Sequence, residues 1–114
     1  MTQYHEIRAN VSCNDRGELI VEKRGFLLPD SVSTVGWAVS VYEGHATSPH
    51  VGDAWFRVDH FRYWQSGPGG IAGGKQFSYV LKAQAYYANQ SDRETPDTYK
   101  RALQASLVIL IPPA

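Results

Sequence analysis

Hydrophobic and polar residues alternate along most of this chain. In residues 5–13 the apolar members fall on one side of an extended backbone, and they are Ile7, Ala9, Val11 and Cys13. Successive side chains of a β-strand point to opposite faces, so this pattern predicts a strand with one buried face. Similar patterns predict further strands at residues 18–24, 35–42 and 76–89, and the aromatic segment at residues 54–65 is predicted to form another strand.

The connection between the first two predicted strands reads Asn-Asp-Arg-Gly at residues 14–17. Asparagine and aspartate close turns with their side-chain oxygens, and glycine adopts positive φ without strain. We therefore predict that the first two strands pair as an antiparallel hairpin. In the third predicted strand Trp37 falls on the apolar side with Val35, which predicts that its indole lies in the core.

Residues 95–111 fit two descriptions. Thr95 followed by Pro96 is typical of a helix start, and apolar residues follow at helical spacing. Apolar residues also alternate over residues 103–111, where β-branched residues become more frequent. We favour a strand, with a helix over residues 95–107 as the alternative.

Six or seven strands without regular intervening helices indicate an all-β protein. A chain of 114 residues with no repeat and no linker is expected to form one domain, residues 1–114. The fold class predicted is a single antiparallel β-sandwich or jelly-roll-like domain.

The segment at residues 54–65 contains five aromatic residues and two arginines, and strict alternation leaves neither of its faces apolar. A β-bulge at Asp59 and His60 restores an apolar face, because one extra residue moves every later side chain of the strand to the opposite face. The inner face then consists of Phe56, Val58, Phe61 and Tyr63. The outward side of this strand consists of Trp55, Arg57, Arg62 and Trp64, which we name the aromatic-basic stripe.

Indole rings stack on sugars and bases, and guanidinium groups donate paired hydrogen bonds to hydroxyls, carboxylates and phosphates. Tyr42 and Tyr86 extend the stripe if their strands neighbour it. These residues predict a non-enzymatic, lectin-like recognition module that binds a carbohydrate or a similar polar ligand. The alternative is a structural or assembly subunit of a homo-oligomer or particle, since tryptophan, tyrosine and arginine are also enriched at protein interfaces.

Charge and cysteine content narrow the possible partners. Eleven basic residues balance eleven acidic ones, so no global field attracts nucleic acid or an anionic membrane.

The first ten residues lack the apolar core of a signal peptide, and the apolar run at residues 107–111 is too short to span a bilayer. We expect a cytoplasmic protein in which Cys13, the single cysteine, is a small buried hydrophobe.

Other candidate chemistries are weaker. Imidazole and carboxylate groups that could ligate a metal lie within sixteen residues of one another, and they are His45, His50, Asp53 and His60. Their spacing matches no metal signature, so we predict neither a metal nor another cofactor. Residues 69–76 have the glycine and lysine spacing of a phosphate-binding loop, but Gln76 replaces the required serine or threonine and opens a predicted strand. No residues indicate an enzyme.

Overall fold

The computed structural model describes residues 3–45, 48–49, 54–70, 73–88 and 97–114. These ranges contain no helix and seven strands: β1 (His5–Cys13), β2 (Glu18–Leu28), β3 (Ala38–His45), β4 (Ser48–Pro49), β5 (Ala54–Gly70), β6 (Gly73–Tyr87) and β7 (Leu103–Ile111). The described ranges therefore include no helical segment that could span a membrane.

The strands form two antiparallel sheets, in the orders β1-β7-β3-β4 and β2-β6-β5. The predicted all-β antiparallel sandwich is therefore confirmed. The last segment is also a strand over Leu103–Ile111, as favoured, and the described residues 97–102 that precede it are not helical.

One cluster of buried side chains joins the inner faces of the two sheets. The largest side chains with almost no exposure are Leu19, Phe77, Tyr79, Leu81, Leu107, Ile109 and Ile111. Most of them belong to β6 and β7, the inner strands of their sheets, where neighbouring strands cover both sides. Full burial of one such aliphatic or phenyl side chain contributes about 1.5–3 kcal/mol, so these two strands dominate the core.

The predicted pairing of the first two strands is wrong, although the predicted turn forms. The Gly17 amide donates to the Asn14 carbonyl at 3.0 Å, and Asn14 Oδ1 accepts from the backbone amides of Arg16 and Glu18 at 2.9 Å each. However, β1 pairs with β7 and β2 pairs with β6. The turn is an arch between sheets, because turn residues set a chain reversal and do not select the strand beside it.

Trp37 covers one end of the three-stranded sheet. Its ring stacks on Tyr63 with centroids 4.4 Å apart, and its indole nitrogen donates to the Ser33 carbonyl at 2.9 Å. The predicted burial of Trp37 is confirmed. Val35 is 68% exposed, contrary to the alternation, because Gly36 turns at φ +78° and the strand begins only after it.

Tyr99 covers the opposite end of the same sheet. Its amide donates to the Ala85 carbonyl at 2.8 Å, and its ring lies 4.8 Å from that of Tyr87. At each end of the three-stranded sheet, an irregular segment therefore packs an aromatic side chain against the strands.

The strands predicted at residues 54–65 and 76–89 extend further than predicted, as β5 and β6, into the glycine-rich segment between them. Gly70 pairs with Gly73, so strand pairing continues to the last described residues of this segment. A second register shift, between Gln65 and Gly67, lets the glycine-rich segment remain paired.

Candidate functional site

Asp59 is the extra residue that sorts the side chains of β5. Val58 lies opposite Ala83 and His60 lies opposite Lys82, so Asp59 has no partner in the ladder. The side chains packed against the core are Phe56, Val58, Phe61 and Tyr63. The predicted bulge and inner face are therefore confirmed, and the aromatic-basic stripe lies on the outer face of an edge strand.

Trp55 and Arg57 form a compact group with Tyr86 at one end of the stripe. The Trp55 ring stacks on the Tyr86 ring with centroids 4.7 Å apart, and the Arg57 guanidinium lies 5.1 Å from the Tyr86 centroid. Arg57 Nε donates to Asp59 Oδ1 at 2.5 Å, and this hydrogen bond raises the pKa of Arg57. Tyr86 is buried while Trp55 is 43% exposed, so Trp55 supplies the accessible aromatic surface of the group.

Arg62 and Trp64 occupy the other end of the stripe. The Arg62 guanidinium lies over the Trp64 ring, 5.0 Å from its centroid. Among the residues that the structure describes, Arg62 forms no ion pair, unlike Arg57. Its exposed charge is therefore uncompensated by any described carboxylate.

The register of the sheet brings outward residues of β2, β6 and β5 into rows. Three consecutive rows are Glu18-Gln84-Arg57, Ile20-Lys82-His60 and Glu22-Val80-Arg62. In the first and third rows an acidic residue on one edge strand shares its row with a basic residue on the other. We name these nine residues the outer face.

Each acidic residue of the outer face also has a local basic partner. Arg16 Nε contacts Glu18 Oε1 at 2.7 Å, and hydrogen bonds from Arg16 and then Asn14 lower the pKa of Glu18. Glu22 pairs with Arg24 two residues further along β2. Exposed pairs of this kind contribute little to stability, so either glutamate can exchange its partner at small cost.

The contribution of β2 to this surface could not be predicted from local patterns. Alternation already puts Glu18, Ile20 and Glu22 on one side of the strand. The predicted pairing of β2 with β1 separates these residues from the stripe. Only the observed strand order, in which β6 lies between β2 and β5, brings them together.

Tyr42 lies on the outer surface of the four-stranded sheet, so the structure brings Tyr86 to the stripe but not Tyr42. The Tyr42 hydroxyl accepts a hydrogen bond from Arg8 Nη1 at 3.2 Å, and Arg8 also pairs with Glu6 at 2.8 Å. These residues border a depression of about 190 Å³, which is lined by Arg8, Ala9, Asn10, Tyr42 and Ser106.

The described candidate metal ligands are far apart in the fold. His45 Nε2 lies 2.8 Å from the Val11 carbonyl oxygen, near the end of the four-stranded sheet. His60 is exposed on the outer face of the other sheet. His50 and Asp53 lie outside the described residues. Within the described part of the chain, no three histidine, cysteine, aspartate or glutamate side chains are close enough to hold a metal ion.

The remaining candidates have structural explanations. Gln76 lies within β6 and opens no helix, so the described part of the phosphate-loop-like segment belongs to a hairpin. Cys13 is buried, as predicted, and burial raises the pKa of its thiol. A thiol with a raised pKa forms less of the thiolate that reacts as a nucleophile.

Comparison with protein-family models, with curated proteins and with solved structures gives no match to this chain. Function is therefore argued from the outer face itself.

Proposed function

We propose that this protein is a non-enzymatic assembly subunit, and that the outer face of the β2-β6-β5 sheet buries against other copies. The observation that carries this proposal is the arrangement of charge in rows. Glu18 and Glu22 lie on one edge strand, and Arg57 and Arg62 lie in the same rows on the other. A surface with acid and base in matched rows can complement itself, which closed homo-oligomers require.

Exposed apolar groups on the same sheet support an interface. Ile20 is 65% exposed and lies between the two glutamates of β2, while Leu27 further along that strand is 60% exposed. Trp55 adds an exposed indole on β5. Aromatic residues and arginine are enriched at protein interfaces, and burial of these side chains would remove apolar area from water.

Each tryptophan of the stripe already has a neighbouring group over its ring. Trp55 and Arg57 both pack against the Tyr86 ring, and Arg62 lies over Trp64. A ring face covered by a neighbouring side chain cannot stack on a ligand until that neighbour moves. A surface on which aromatic and arginine side chains pack against one another favours contact with protein.

A second candidate function is carbohydrate recognition around Trp55. Its indole is 43% exposed, and the neighbouring Arg57 is held in place by Asp59. An exposed indole beside an oriented guanidinium is suited to a sugar ring with a hydroxyl or carboxylate substituent.

Static light scattering over a concentration series tests the assembly proposal. We expect the mass to rise above the 12.7 kDa of one chain as concentration increases. Trp55→Ala should weaken association about tenfold, in the range found for aromatic residues at interfaces. Tyr42→Ala is the matched control, because Tyr42 is also 43% exposed but lies on the other sheet. The Tyr42→Ala variant should associate as strongly as the wild type.

A mass of 12.7 kDa at every concentration would contradict assembly. A glycan-binding screen of wild type against Trp55→Ala would then test the second function. Equal weakening by Trp55→Ala and Tyr42→Ala would also contradict the proposal, because it would show that the three-stranded sheet is not the specific contact.

A further inference from the structure

We infer that two copies dock through their outer faces about a two-fold axis parallel to β6, so that β5 of each copy lies over β2 of the other. This inference rests on the proposed assembly function. It adds the symmetry of the contact and names the groups that meet across it.

The rows of the outer face determine which residues meet. Rotation by 180° about an axis along the central strand exchanges the two edge strands and leaves every row at its own height. Arg57 then faces the partner's Glu18, and Arg62 faces the partner's Glu22. Both contacts occur twice, as expected for an isologous interface.

Other two-fold arrangements bring like charges together. An axis across the strands puts Arg57 over the partner's Arg62 and Glu18 over the partner's Glu22. Antiparallel edge-to-edge pairing of two β5 strands, centred on the bulge, also brings Arg57 of one copy beside Arg62 of the partner. That edge is further blocked by the unpaired Asp59, since bulges prevent strand addition at sheet edges. Only the axis along β6 matches acid with base.

The middle row has a different composition from the other two. Ile20 faces the partner's His60, which gives the exposed aliphatic side chain a cover. Lys82 lies near Lys82 of the partner subunit. Within each copy, Glu18 and Glu22 are the diagonal neighbours of Lys82 on β2, about 7–8 Å away by ordinary sheet geometry. These carboxylates offset the repulsion between the two ammonium groups.

Arg62 is the most informative residue in this arrangement. Among the described residues it has no carboxylate partner, so Arg62 itself gives up no ion pair when docking supplies one. In the dimer, the Glu22 carboxylate must leave Arg24 or contact both arginines. The exposed ion pair between Glu22 and Arg24 is weak, so this change has a small cost.

Charge reversal with mixing tests the arrangement. Arg62→Glu creates two contacts between carboxylates in its homodimer, and Glu22→Arg creates two contacts between guanidinium groups. Each variant alone should associate about tenfold or more weakly than the wild type, because like charges in an interface are strongly unfavourable. An equimolar mixture should recover association, since both contacts in the mixed dimer join opposite charges. Sedimentation equilibrium gives the dissociation constants, and circular dichroism checks that each variant folds.

Arg8→Glu and Glu6→Arg are the matched controls. They reverse an exposed ion pair on β1, in the other sheet, and should leave association unchanged. Added salt should weaken the wild-type association and have less effect on the Arg62→Glu variant, because the lost contact is electrostatic.

The outcomes separate this inference from the proposed function. A monomeric wild type overturns both. A wild type that associates while Arg62→Glu and Glu22→Arg have no effect leaves assembly in place and overturns the two-fold contact. Weakening by each variant without recovery in the mixture also overturns it, because the two residues then do not face one another.

Discussion

The two arginines of the aromatic-basic stripe have different electrostatic surroundings. The Arg57 guanidinium is engaged by Asp59 and by the ring of Tyr86. Arg62 contacts the Trp64 ring and has no described carboxylate beside it. The sequence presents both as basic residues on one face, and only the bulge residue at position 59 distinguishes them. At the residue scale, the charge available to a partner is therefore concentrated on Arg62.

Gly17 is a residue whose lack of a side chain is required by its surroundings. Its φ is +74°, and a Cβ at this position would lie 2.2 Å from the Tyr99 carbonyl oxygen and 2.8 Å from Gln84 Nε2. The backbone cannot easily move away, because the Gly17 carbonyl accepts from the Ala85 amide at 2.9 Å. We expect Gly17→Ala to lower the free energy of unfolding by about 3 kcal/mol, measured by urea denaturation.

Gly25→Ala is the control for that substitution. Gly25 also has a positive φ, +64°, but the nearest atom to an added Cβ lies 3.9 Å away. Only backbone strain then applies, and we expect a loss of about 1–2 kcal/mol. Equal losses at both glycines would show that the contact with Tyr99 does not matter.

Burial of single residues could be predicted from the sequence where alternation continues without interruption. Leu81, Leu107 and Ile109 are fully buried, as their positions in alternating segments indicate. Residue type alone is a weaker guide, because Ile20 and Val35 are 65% and 68% exposed. The alternation of β2 turns Ile20 outward, and Gly36 displaces Val35 from the strand that follows.

At the scale of the element, the bulge in β5 predicts an unusual response to deletion. Deletion of Asp59 leaves Val58 facing inward, His60 outward and Phe61 inward, which is unbroken alternation. We expect this variant to fold with a loss below about 1 kcal/mol, because no core side chain changes face. Urea denaturation and tryptophan fluorescence measure the result.

Deletion of Arg57 is the matched control. It removes a residue of the same strand outside the bulge, so Trp55 and Phe56 must exchange faces. Loss of Phe56 from the core should cost about 1.5–3 kcal/mol in addition to any strain. If both deletions were equally harmful, the assignment of Asp59 as the extra residue would be contradicted.

The bulge could be predicted because the composition of the segment excludes strict alternation. Without an extra residue, the face that carries Phe56 and Val58 would also carry His60 and Arg62. The arch at residues 14–17 could not be distinguished from a hairpin in this way. Asn14 and Gly17 close both kinds of turn, and the partner of β1 lies far along the chain in β7.

At the scale of the whole molecule, strand order creates the candidate site. The stripe was visible in residues 54–65, but its acidic complement lies on β2, two strands away in the sheet. No local pattern links segments so far apart in sequence. The self-complementary rows therefore emerge only when β2, β6 and β5 are brought side by side.

The molecule measures 52 × 30 × 29 Å, and its radius of gyration of 16.0 Å exceeds the value of about 13 Å typical of a compact chain of this length. The longest strands, β5 and β6, have 17 and 15 residues and belong to the same sheet. At about 3.3 Å per residue, such strands account for the long dimension. The outer face thus belongs to the sheet with the longest strands.

The central position of β7 also sets an order of events in time. Its partners β1 and β3 both precede it, and His5 pairs with Ile111. During synthesis, the main pairings of the four-stranded sheet must wait until β7 has left the ribosome, whereas β5 and β6 can pair as soon as their short connection is made. Distant contacts close slowly because of their chain entropy. Pulse-labelled hydrogen exchange during refolding should therefore protect β5 and β6 before β1, and simultaneous protection would contradict this order.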